Sequence, residues 1–104
     1  MRFALNLYTT PKTKKHLPTI INRLRKRRLQ PDIWLITLAS NQKNLLDIFR
    51  SVYYMQPAVE KMNPEIVGIA ENEEEARNLV IEILKDVHNQ NENFDVRSYF
   101  KFQE

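Results

Sequence analysis

One stretch constrains the fold more than any other: Pro64 to Val87, PEIVGIAENEEEARNLVIEILKDV. Ile66, Val67 and Ile69 make a nearly unbroken apolar run, the pattern of a strand covered on both faces. Gly68, the only glycine in the chain, stands inside it. A glycine within a strand marks a close approach to the bare backbone, here expected from a packed helix rather than from a ligand. After the turn, Asn72 can accept from the free amides of a helix start and Glu75 can reach back, as in a capping box. Ala76, Leu79, Val80, Ile83, Leu84 and Val87 then repeat at helical spacing and form one apolar face.

The acidic triplet Glu73, Glu74 and Glu75 suits the positive end of that helix. It does not suit a metal, because consecutive helical residues point about 100° apart and cannot converge on one ion. Lys85 and His88 fall in the last turn, where cations are favoured, so His88 reads as a cap or solvated side chain rather than a base.

Charge is distributed unevenly. Residues 1–31 hold nine Lys or Arg and no Asp or Glu, whereas residues 32–104 hold seven and thirteen, so the two parts carry +9 and −6. Asymmetry of this kind points to nucleic acid, an acidic partner or self-association. Arg2 to Thr9 reads as a first strand, with Phe3, Leu5 and Leu7 alternating against Ala4, Asn6 and Tyr8. A loop and helix follow to Arg28, with Pro18 in the first turn and Leu17, Ile20, Ile21 and Leu24 as the buried stripe. The helix ends in Arg23, Arg25, Lys26, Arg27 and Arg28, and Lys12, Lys14 and Lys15 stand at its other end. These eight cations read either as a solvated helix end or as a patch for phosphates. No aromatic residue is interleaved with the run, so base stacking is not indicated.

Gln30-Pro31-Asp32 stops the helix, and Ile33 to Ala39 reads as a central strand in which Trp34 anchors a helix layer. Ser40 or Asn41 is expected to cap a second helix running to Gln56. Leu45, Ile48, Phe49, Val52 and Tyr53 would be its buried face, and Pro57 would end it or kink it at Gln56. Tyr53, Tyr54 and Met55 crowd three large side chains at that helix end. They are a candidate interface, the alternative being that they pack on the Pro57 connector. Phe94 to Phe102 reads as a closing strand, with Phe94, Val96, Phe100 and Phe102 on one face, at a sheet edge.

Several chemistries lack their residues. A phosphate-cradling loop needs several glycines. With no cysteine there is no thiolate nucleophile, disulfide or cysteine-bound metal. Ser40, Ser51 and Ser98 are not joined to either histidine by any recognisable motif. No metal-ligand spacing is present. The expectation is therefore no enzyme, no cofactor and no metal site. The chain shows no transmembrane run and no signal-peptide pattern, which fits a cytoplasmic protein with no membrane partner.

The segments SNQKNLLDIFRSVYYMQ, PEIVGIAENEEEA and NFDVRSYF resemble a family of small uncharacterised bacterial proteins. The resemblance covers about the last two thirds of the chain and leaves the basic first helix outside. It implies a bacterial, cytoplasmic protein and assigns no activity or site residue.

Residues 1–104 read as a single α/β domain. Element order is β-α-β-α-β-α-β, with a four-stranded parallel or mixed sheet and helices packed on it. The strands of Ile33 and Ile66 are expected near the centre. A ferredoxin-like α+β sheet is the alternative, with Asn44 to Tyr54 as an insertion between the middle strands. The expected function is a small binding or regulatory module acting through protein contacts, as a homodimer in one version. The alternative is nucleic-acid binding by the basic first helix.

Overall fold

The structure, a computed structural model, describes residues 1–39, 44–90 and 95–102. In chain order the elements are β1 (Arg2–Thr9), α1 (Pro11–Lys15), α2 (Leu17–Arg25), β2 (Trp34–Leu38), β3 (Leu46–Arg50), a 3₁₀ turn (Ser51–Met55), α3 (Pro57–Glu60), β4 (Glu65–Ala70), α4 (Glu73–Gln90) and α5 (Val96–Tyr99). The four strands form one mixed sheet in the order β1-β4-β2-β3. β1 and β4 are parallel; β2 runs antiparallel to β4 and to β3. This is the mixed α/β sheet the sequence suggests, with β2 and β4 at its centre.

Two apolar cores flank the sheet. One gathers Ile36, Val67 and Ala70 with Ala76, Leu79, Ile83 and Val87 of α4. The other gathers Leu35, Ile66 and Ile69 with Ile20 and Leu24 of α2 and with Tyr54 and Val59. Successive strand residues point to opposite faces, and the adjacent Leu35 and Ile36 fall in different cores. Hence α2 and α4 cover opposite faces. The ferredoxin-like alternative, with its helices segregated to one face, is excluded on this point.

Strict alternation fails at two places. On β4, Ile66 and Ile69 share one core while Val67 and Ala70 share the other. The extra residue is a bulge, since Ile36 pairs with Gly68 but Thr37 pairs with Ile66. A Cβ on Gly68 would lie 2.8 Å from Ile36 Cδ1 and 3.2 Å from Ile36 Cβ. The close approach expected at this glycine therefore exists, but its source is a side chain of the neighbouring strand and not a helix. On β1, the pairing jumps from Phe3↔Ile66 to Tyr8↔Gly68. Leu5 is 68% exposed and does not share a face with Phe3 and Leu7. The C-terminal segment docks on this bulge: the Leu5 amide donates to the Lys101 carbonyl at 2.7 Å, and Asn6 Nδ2 donates to the Tyr99 carbonyl at 3.2 Å.

Two expected elements change type. The helix foreseen up to Gln56 is β3 followed by the 3₁₀ turn; its proposed cap, Ser40 or Asn41, lies outside the described residues. Apolar residues at helical spacing suggest the helix. However, Leu46 and Ile48 also alternate, the segment is rich in β-formers, and pairing from Trp34↔Arg50 to Leu38↔Leu46 covers the β2 edge. Pro57 does not end a helix but begins α3, where its missing amide costs nothing. The closing strand is instead the short α5, with only an isolated Ala4↔Phe102 bridge in antiparallel sense; Phe94 lies outside the described residues. Asp95 decides this locally. Its carboxylate accepts from the Ser98 amide at 3.2 Å and from Ser98 Oγ at 2.5 Å, which fixes a helical turn. Val96 and Phe100 still reach the core, one helical turn apart.

Candidate functional site

The cations of residues 12–28 are all exposed, but they are not equivalent. α2 stops at Arg25, so Lys26 to Arg28 do not continue around a helix as expected. The chain closes in a Schellman turn: the Arg28 amide donates to the Arg23 carbonyl at 2.9 Å and the Arg27 amide to the Leu24 carbonyl at 3.0 Å. Arg27 takes the left-handed position, with φ of 58°. That turn directs its guanidinium to the Glu60 carboxylate and the Met55 carbonyl. Arg25 lies over the Phe3 ring, 5.0 Å from its centroid. Arg25 and Arg27 are therefore engaged with the protein. Among the described residues, no carboxylate forms an ion pair with Lys12, Lys14, Lys15, Arg23, Lys26 or Arg28.

Arg23, Lys26 and Arg28 border a shallow concavity with Pro18, Thr19 and Asn22. Thr19 and Arg23 also line a deeper groove of about 660 Å³, together with Lys12 and His16 of the α1–α2 segment and Asp32, Glu71 and Asn72 of the loops before β2 and after β4. Its base is held by threonines. Thr10 caps α1 in a reciprocal capping box with Thr13. Thr10 Oγ1 donates to Glu71 Oε2 at 2.6 Å, and Thr13 Oγ1 donates to the Ile69 carbonyl at 3.0 Å. The two loops leaving β1 and β4 are thereby tied together. The sequence does not reveal the groove, because its walls come from segments some sixty residues apart. The signal it does carry is a pair of capping sequences, at Thr10 and at Asn72, each directly after a strand. The Asn72 cap is present, with its Oδ1 accepting from the Glu75 amide at 2.8 Å.

The candidate interface Tyr53, Tyr54 and Met55 is largely dispersed. Tyr54 is 4% exposed, in the second core, with its hydroxyl 3.3 Å from Thr37 Oγ1. Met55 is half-buried against the same core. Tyr53 is the most open of the three, stacked on Phe49 with ring centroids 4.3 Å apart. That pair lies at the β3 edge, beside the exposed Met62.

A third cluster is not visible in the sequence. The Tyr8 hydroxyl donates to Asp86 Oδ2 at 2.5 Å and lies 2.7 Å from the Tyr99 hydroxyl. Burial first, then the hydrogen bonds to Asp86 and Tyr99, holds the Tyr8 hydroxyl well above the usual tyrosine range. A phenol so reluctant to give up its proton is a poor acid, and the cluster joins β1, α4 and α5. Among the described residues, no three His, Asp or Glu side chains are placed to hold a metal ion, and no buried side-chain polar atom lacks a partner. No described helix is long and apolar enough to cross a membrane.

No family model, curated protein or solved structure matches the chain.

Proposed function

We propose that the protein is a non-enzymatic binding module that holds a nucleic-acid backbone on its α1–α2 face, in a bacterial cytoplasm. The observation that carries this is the set of six exposed cations, from Lys12 to Arg28, that have no carboxylate partner among the described residues. Side chains of this kind gain by releasing counterions from phosphates, and they carry no sequence information. Fluorescence anisotropy on duplex DNA and single-stranded RNA at several salt concentrations tests it. Neutralising roughly four to six phosphates gives a log–log salt slope of about −4 to −5 on duplex. Changing Arg23, Lys26 and Arg28 together to Gln flattens the slope by about one unit for each phosphate left without its cation. Changing Arg25 and Arg27 to Gln leaves it nearly unchanged, because those side chains are turned to Phe3 and Glu60. Dissociation constants weaker than about 10⁻⁴ M at physiological salt on both ligands would end this reading.

A second reading, protein contacts or a homodimer, is favoured by the stacked Phe49 and Tyr53 at the β3 edge. Edge strands left open are templates for pairing with another chain. Light scattering coupled to size-exclusion chromatography tests it, and a strict monomer over a wide concentration range removes the homodimer.

A further inference from the structure

We propose that the groove at the carboxyl ends of β1 and β4 binds a small phosphorylated molecule of mononucleotide size, gripped by Lys12, His16 and Arg23. The groove shares Lys12 and Arg23 with the cations proposed to hold a nucleic-acid backbone, but Lys14, Lys15, Lys26 and Arg28 lie outside its lining. Topology comes first. β1 and β4 are adjacent and parallel, yet the chain leaving β1 covers one face through α2 and the chain leaving β4 covers the other through α4. Neighbouring parallel strands whose connections depart to opposite faces leave a crevice beyond their carboxyl ends, and ligands of open α/β sheets bind there.

The groove occupies that crevice, and its volume of about 660 Å³ lies within the range of small-ligand sites. Its charged residues come from separate segments. Lys12, His16 and Arg23 come from the α1–α2 segment, while Asp32, Glu71 and Asn72 come from the loops entering β2 and leaving β4, with Glu71 already tied to Thr10. Ile33 adds an apolar surface to the lining. Such a layout matches a ligand with an anionic phosphate at one end and a hydroxyl-bearing body at the other. The carboxylate and amide accept from hydroxyls while the cations meet the phosphate. With a single glycine in the chain, a backbone cradle is absent from the sequence pattern, so the grip falls to side chains. The base is pre-organised, because the Thr10–Glu71 and Thr13–Ile69 hydrogen bonds fix the two loops before any ligand arrives.

Isothermal titration calorimetry of the full chain with adenosine 5′-monophosphate, ribose 5-phosphate, inorganic phosphate and adenosine tests the inference. Saturable binding of one or both phosphate esters is expected, with inorganic phosphate at least about tenfold weaker and adenosine weaker still. The monophosphate and the sugar phosphate distinguish a base-reading groove from one that stops at the sugar. Lys12→Gln and His16→Gln should each weaken the preferred ester by about tenfold, while Lys26→Gln leaves it unchanged. All three positions are exposed, so thermal melts should not move. No saturable heat with any of the four at about 1 mM overturns the inference, as does equal weakening by Lys26→Gln, which would mark a response to net charge alone. A chain that binds duplex with the expected salt slope but none of these small molecules removes the groove site and leaves the backbone-binding reading standing.

Discussion

Gly68 shows how one absent methyl group can set the geometry of a sheet. Its position opposite Ile36 leaves no room for a Cβ, which would lie 3.2 Å from the Ile36 Cβ as well as 2.8 Å from the Ile36 Cδ1. The δ-methyl can rotate away, whereas the β-carbon is fixed to the backbone of a central strand. Gly68→Ala should therefore destabilise by about 1–3 kcal/mol in a denaturant melt, the usual cost of overfilling a packed interior. Ile36→Val alone should cost about 0.5–1.5 kcal/mol. Combined, the two should cost less than their sum, because the valine removes the closer of the two clashes. Strict additivity would show that the glycine is needed for something other than space. A second residue-scale test concerns Tyr8. Tyr8→Phe deletes the hydroxyl that joins Asp86 and Tyr99 and should cost roughly 1–3 kcal/mol, since partners of a part-buried network are left unpaired. A neutral effect would reduce the cluster to a surface contact.

Elements whose patterns agree with their surroundings are readable from the chain; those whose ends are set by distant partners are not. α4 is the clearest case, with Asn72 capping it and Ile83 fully buried on its apolar face. Ile83→Asp should unfold the protein or nearly so, because the carboxylate would meet the Val67 and Ala70 side of the core without a partner. Glu74→Gln, on the exposed side of the same helix, should change stability by well under about 1 kcal/mol. Thermal melts showing equal harm would mean the helix is rotated from this orientation. β3 reads as a helix because Leu45, Ile48, Phe49, Val52 and Tyr53 satisfy a helical period as well as Leu46 and Ile48 satisfy a strand. What decides is the β2 edge, which no local window contains. α5 reads as a strand for the opposite reason: a local cap, Asp95 on Ser98, defeats a convincing alternation. The cations of the candidate site are legible one by one. Their division into free and engaged is not, because it depends on Phe3 and Glu60, brought to Arg25 and Arg27 only by the fold.

At the scale of the molecule, one sheet separates two cores, and each core holds a tyrosine that resists ionisation. Tyr8 packs against the α4 core; Tyr54 is buried in the α2 core, where loss of water raises its ionisation range against a smaller opposing effect of the Thr37 hydroxyl. For both, the folded-state value lies above the unfolded value of about 10. Above that pH the unfolded chain sheds phenolic protons that the folded chain retains, so it binds fewer protons and stability falls as pH rises. The contribution is complete below about pH 10 and is lost progressively above it. Because β2 and β4 supply residues to both cores, opening either face should release the other. A spectrophotometric titration of phenolate absorbance, run beside circular dichroism, should therefore show Tyr8 and Tyr54 ionising together, in the same step in which secondary structure is lost. Tyr8→Phe and Tyr54→Phe should each remove amplitude from that step and not from an earlier one. If either phenol ionised while the helical signal remained intact, the two cores would be independent and the sheet would not couple them.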